Sequence, residues 1–281
     1  MGINALLLSL DRELQSIPFS ALPIPGGVLG DKVALTVTPT LRLTDLGQPL
    51  IAPATQTLLA GATRFRNGLA PLPMARQELE HIAALLPGSP MLLDDEFNLG
   101  NLRGKLKLPL VRRLHLATHA DFRVDDAQSA RIFTATDELQ LAQLAPDVQS
   151  RGNQQLDLVV LSACRTSLGD EERELGIAGL ALQTGATSAL GTLWYVDDAA
   201  AAAFSIQFHQ FLRQGFRKDQ ALQATQDQFR RGVIRVESGQ IVNGSGQPLV
   251  VGLSRADQVR LGSDLWHPYY WAGVILSGRP W

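Results

Sequence analysis

The chain has 281 residues, 45% of them hydrophobic and 19% charged, with 25 basic against 27 acidic side chains. A net charge of −2 gives no field for nucleic acid or an anionic membrane surface, and no basic stripe is interleaved with aromatics. No apolar stretch approaches the roughly 20 residues of a membrane span, Met1–Leu10 lacks the basic start of a signal peptide, and a single cysteine allows no internal disulfide and fits a reducing compartment. The expectation is a cytoplasmic globular protein at the upper limit for one hydrophobic core.

In chain order, Ala5–Leu10 and Val33–Thr38 read as strands flanking a Pro/Gly segment, Ile17–Gly30, that excludes a long helix. Residues 1–54 are expected to form a small N-terminal β layer packed on the rest of the chain, and residues 55–281 an α/β core within the same domain. In that core strands alternate with helices, the pattern of a parallel sheet. Thr57–Gly61 is a strand. Ala75–Leu86 is a helix with Leu79, Ile82, Ala83 and Leu86 on one stripe. Pro90–Leu93 is a strand, Leu99–Leu108 a helix, and Arg112–Thr118 a strand that ends at His119. Leu139–Gln149 reads as a crossover helix into the buried strand Leu156–Cys164. Gly176–Gly185 is a small-residue helix and Thr187–Tyr195 a strand. Asp198–Gln214 is a helix with Phe204, Phe208, Phe211 and Leu212 on one face, and Lys218–Arg231 a further amphipathic helix. Gly239–Gly246 reads as a polar loop, and His267–Gly278 as a last strand.

Two strands end in reactive residues, His119 and Cys164. In parallel sheets ligands bind outside the carboxyl ends of the strands, so the two side chains are placed to face each other there. A thiolate attacks carbonyl carbon, a neighbouring imidazole activates it and then protonates the leaving amine, and backbone N–H groups of the following turns serve the oxyanion. A lone cysteine usually packs as a small apolar residue; the histidine at the end of a neighbouring strand changes that reading. His81 and His209 lie off apolar stripes and read as solvated, and His115 as a packed core residue. The order His before Cys disfavours papain-like enzymes and glutamine amidotransferases. No GxxxxGK[ST] loop is present for a P-loop NTPase.

The segments LHLATHADF (Leu114–Phe122), LVVLSACRTSLGD (Leu158–Asp170), GIAGLALQTGATSALGTLWYVDD (Gly176–Asp198) and HPYYWAGVILSG, with the opening LLLSLDRELQSIPFSALPI, resemble the CHAT domain. This is a branch of the caspase-like cysteine peptidases often found downstream of TPR repeats. The resemblance covers nearly the whole chain. It implies a caspase-like, mainly parallel sheet flanked by helices, with His119 as general base and acid and Cys164 as nucleophile. The backbone N–H groups of Ala120 and Cys164 would form the oxyanion hole. Ala120 stands where caspase-like enzymes usually have glycine, and Ser162 where metacaspases have an aspartate.

Relatives outside the animal caspases commonly cut after Arg or Lys through acidic S1 residues. Asp197 and Asp198 are the candidates here, although one of them is also expected to cap the following helix. Asp121 and Trp194 are further S1 candidates. Asp170–Glu174 reads as a solvated loop, and Trp266, Tyr269, Tyr270 and Trp271 as packing for the last strand. The leading expectation is an endopeptidase that needs no metal or organic cofactor and acts on a protein or peptide substrate, with a TPR-type or other regulatory partner or upstream region. The alternatives are a caspase-fold regulatory module whose dyad is gated by a partner, and a non-peptidase hydrolase or transferase using the same pair.

Overall fold

The computed structural model describes residues 2–11, 14–38, 55–66, 68–121, 131–150, 156–162 and 184–281. Its centre is an eight-stranded sheet: β1 (Ala5–Ser9), β2 (Ala34–Thr38), β3 (Gln56–Gly61), β4 (Met91–Leu93), β5 (Val111–Ala117), β6 (Leu158–Leu161), β7 (Ser188–Thr192) and β8 (Val274–Gly278). The spatial order is β1-β2-β8-β7-β6-β5-β3-β4. Every neighbouring pair is parallel except β7 and β8. Strands β3 to β7 therefore run one way, and β1, β2 and β8 the other.

The described helices are α1 (Ala75–Leu85), α2 (Leu99–Leu106), α3 (Ala145–Gln149), α4 (Asp198–Arg213), α5 (Lys218–Arg230) and α6 (Arg255–Leu261). The sheet separates two cores. Leu58, Ala60, Leu114, Leu116, Val159 and Leu161 pack towards α2 and α3. Their alternates Leu59, Ala117, Leu158 and Val160 pack towards α1, α4 and α5. Period-two alternation with both faces covered accounts for the near-continuous apolar runs of β5 and β6. Helix α4 is buried on most sides, and its run Ala199–Ala203 keeps side chains small where it packs.

The structure changes several expectations. The described part of the N-terminal β layer is not stacked on a face: β2 pairs with β8, so β1 and β2 extend the main sheet at its edge. The crossover helix begins later than Leu139, because Glu138–Gln140 pairs with Arg131–Phe133, which pairs in turn with Ala120–Asp121. A 3-10 turn at Leu141–Leu144 precedes α3, and Pro146 in its first turn marks the true start. The polar loop at Gly239–Gly246 belongs to a three-stranded meander of Arg235–Glu237, Gln240–Val242 and Pro248–Val250. Its first turn is Ser238–Gly239 with φ of 51° and 75°, the positive pair that a tight hairpin demands. The last strand is confined to Val274–Gly278, after a 3-10 turn at Pro268–Tyr270. Trp271 is buried as expected, but Trp266 and Tyr269 are 52% and 38% exposed. Most of the helix expected at Gly176–Gly185, and the acidic run Asp170–Glu174, lie outside the described residues.

Candidate active site

Strand β5 carries the histidine to the carboxyl edge of the sheet. Beside it, β6 is paired in parallel register, Leu158 with Arg113 through to Leu161 with Leu116. On the other side Gly61 ends β3; a β-carbon there would stand 2.5 Å from the Ala117 carbonyl oxygen, so the close approach of β3 to β5 needs glycine.

His119 follows two residues later and is 2% exposed. Its carbonyl accepts from Phe133 N–H at 3.0 Å, tying the backbone to the Arg131–Phe133 strand. Its ring lies 4.8 Å from that of Phe65. The Nε2 atom is 2.7 Å from the carbonyl oxygen of Ala70. A carbonyl oxygen only accepts, so Nε2 carries the proton in this bond. The candidate nucleophile Cys164 lies outside the described residues.

Beneath this edge, on the same face of the sheet, is a buried chain of polar groups absent from the sequence expectations. Ser162 Oγ donates to Glu78 Oε2 at 3.1 Å, and His115 Nε2 is 2.9 Å from Glu78 Oε1. With Glu78 accepting at both oxygens, His115 donates from Nε2, and its Nδ1 accepts from His209 Nε2 at 3.2 Å. Burial, then the neighbouring His115 and Arg113, hold the His209 pKa well below its ordinary value, so His209 is neutral. This corrects the reading of His209 as solvated: it is fully buried, because α4 is covered on the side that the phenylalanine stripe leaves free. His81 is half-buried, with Nδ1 3.1 Å from the Leu249 carbonyl oxygen. Glu78 was detectable: it stands among Ala75, Leu79 and Ile82 on the buried stripe of α1, where a carboxylate needs partners.

The expected S1 residues are differently occupied. Asp197 is the N-cap of α4, accepting from Ala199 N–H at 3.0 Å. Its other oxygen pairs with Arg260 of α6, which also binds Asp257. Asp198 Oδ2 accepts from Met74 N–H at 2.9 Å. Burial, then the nearby Glu78 and Asp197, push its pKa up to about 7, against the opposing pull of Met74 N–H and Arg260. Trp194 packs against the core and donates Nε1–H to the Tyr269 carbonyl at 2.9 Å. Asp121 is half-buried opposite Arg131, next to the buried Ala120. Among the described residues no group of three or more His, Cys, Asp or Glu is placed to hold a metal ion, and no described helix is long and apolar enough to cross a membrane.

A mostly parallel eight-stranded sheet between two helical layers, with a held histidine at its carboxyl edge, defines a caspase-like α/β fold. The chain belongs to the CHAT domain family, whose model matches residues 1–279; family and fold are those of the caspase-like peptidases. Among solved structures, it is similar to a chain of the Saccharomyces cerevisiae separase–securin complex, with a TM-score of 0.52 and 13% identity. That match covers 100% of this chain but 16% of the other. Caspase-1 from Spodoptera frugiperda matches with a TM-score of 0.40 and 10% identity, over 67% of this chain and 84% of that one. A comparison with curated proteins gives no match.

Proposed function

We propose that the chain is a cytoplasmic cysteine endopeptidase in which His119 and Cys164 cleave peptide bonds through a thioester, after Arg or Lys. The observation that carries this reading is the register of β5 and β6. Residue 158 faces residue 113 and residue 161 faces residue 116, an offset of 45, and 164 less 119 is also 45. Continued past Ala117 and Leu161, where the two strands end, that register would set Cys164 opposite His119.

In this reading the Ala70 carbonyl fixes Nε2–H of His119, leaving Nδ1 to take the thiol proton of Cys164. The thiolate attacks the scissile carbonyl, and the N–H groups of Ala120 and Cys164 bind the oxyanion. Nδ1–H then protonates the leaving amine, and water hydrolyses the thioester with the imidazole as base. The acidic lining of S1 falls to Asp121, and to Asp197 where a substrate cation displaces the 53% exposed Arg260. Trp194 supplies an apolar wall. Asp198 is left out of S1, its carboxylate being taken up by Met74 N–H. The low exposure of His119 favours a second reading for the resting chain, a regulatory caspase-fold module whose dyad opens when a partner binds.

The test is cleavage of a peptide library varied at P1. Wild-type protein is expected to cut after Arg or Lys, and Cys164→Ala to lose about 10³-fold or more while staying folded. Cleavage that survives Cys164→Ala, or a preference for acidic P1, would overturn the proposal.

A further inference from the structure

Helix α1 begins without a side-chain cap of its own; Met74 occupies the N-cap position. Its N–H is bound from outside by Asp198, the first residue of α4. Asp198 is not needed to start α4, because Asp197 already caps that helix. The carboxylate therefore acts across the fold, on the segment that leads into α1.

That segment is stiff and short. Pro71 and Pro73 restrict the backbone on either side of Leu72, which is buried and donates its N–H to the Thr63 carbonyl at 3.0 Å. Four residues before Met74 is Ala70, whose carbonyl oxygen is 2.7 Å from His119 Nε2. The two prolines fix two of the φ angles between Ala70 and Met74, which leaves fewer rotations to absorb a shift of the Met74 end. The ring has little freedom of its own, with Phe65 against it.

We propose that Asp198 is a positioning residue for His119, holding the segment 70–74 through Met74 N–H so that the Ala70 carbonyl fixes the imidazole. The catalytic part of this role rests on the peptidase reading above; the structural part does not. Groups facing Asp198 are Glu78 from α1, Asp197 from its own element and Arg260 from α6. The anion is disfavoured there by burial and by two carboxylates, and Met74 N–H and Arg260 are the groups that favour it. The bond needs an acceptor oxygen, which asparagine also supplies.

The experiment is long-range proton–nitrogen NMR of histidine-labelled full chain, with the His119 signals assigned from a His119→Gln variant. Wild type is expected to show Nε2 protonated at neutral pH. Asp198→Ala is expected to mix the two tautomers, and Asp198→Asn to restore the wild-type pattern. Peptide hydrolysis should follow: about tenfold or greater loss of kcat in Asp198→Ala with KM within about twofold, and near wild-type kcat in Asp198→Asn. A folded Asp198→Ala protein with an unchanged His119 pattern would overturn the proposal. Should Asp198→Ala not fold, hydrogen exchange of the wild-type Met74 amide decides: protection like that of the α1 interior supports the anchor, and exchange at the rate of an open chain overturns it. If no variant, wild type included, cleaves any peptide while the NMR pattern responds as stated, the peptidase reading fails and the positioning stands.

Discussion

Two buried polar clusters lie at opposite ends of β6 and β7, and they are built on different electrostatic plans. At the amino end, Lys218 Nζ donates to Asp157 Oδ1 at 2.7 Å, to the Asp157 carbonyl at 3.3 Å and to Ser188 Oγ at 2.8 Å. Ser188 Oγ donates onward to the Arg279 carbonyl at 2.7 Å. All three ammonium protons are used, and the cation has its anion. At the carboxyl end, Glu78 and Asp198 are carboxylates near each other, two hydrogen-bonded imidazoles set edge to face lie behind them, and the Nδ1 atom of His209 has no hydrogen-bond partner among the described residues. The first cluster, cation-rich with Arg113 and Arg279 beside Lys218, is a staple that fastens strand starts. The second, an unbalanced grouping of carboxylates, stays sensitive to protonation and sits below the edge that carries His119. Shifted carboxylates of the second kind are what the proposed site would call for, and satisfied donors of the first kind are what a structural staple needs.

The largest test of the contrast uses Asp198. Its folded pKa is raised to about 7 from 3.8, so between those values the folded chain binds more protons than the unfolded one. Stability therefore falls as pH rises from about 4 to about 7. Asp198→Asn removes this dependence and is expected to be more stable than wild type at pH 8 by about 2–4 kcal/mol, converging with it near pH 4. Urea unfolding at the two pH values measures it; a variant less stable than wild type at pH 8 contradicts the unbalanced plan.

Lys218 gives the opposite result. Burial lowers its pKa and Asp157 opposes the shift. Lys218→Met fills the volume but takes one donor from each of three acceptors, at a cost of about 2 kcal/mol, moderated because Asp157 is a third exposed and keeps the Thr187 hydroxyl. Hydrolysis per folded molecule should be unchanged; a loss in kcat/KM would mean the amino end also serves the site. The smallest effect is that of His209. It is held neutral when folded while the unfolded chain protonates below its ordinary value, so stability is lost as pH falls below about 6.5. His209→Gln should shrink the loss between pH 7 and pH 5 by about 1–2 kcal/mol, read by denaturant titration.

These two clusters also mark how far residues alone determine the molecule. The strand-helix alternation, the end of β5 near Thr118 and the capping of α4 by one of its two leading aspartates all follow from local rules, because periodicity and caps are written in neighbouring positions. Glu78 on the apolar stripe of α1 was open to the same reasoning. The Asp198–Met74 bond was not: its partners are distant in sequence and belong to helices whose packing no local pattern specifies. His209 was misread for a similar reason, since α4 has no solvated face and polarity there says nothing about exposure. The edge placement of β1 and β2 depends on β8, the last strand of the chain. The Ser238–Gly239 turn, by contrast, carried a legible hairpin signal between two β-rich runs.

The pairing of His119 with Cys164 is the central claim, and the chain has a single cysteine through which to test it. Alkylation by iodoacetamide, followed by intact mass across pH in wild type and His119→Ala, reads the thiolate directly. The account predicts that wild-type Cys164 reacts well below the ordinary thiol pKa of about 8.5, and that His119→Ala returns the midpoint to about that value. Identical profiles for the two proteins would contradict it.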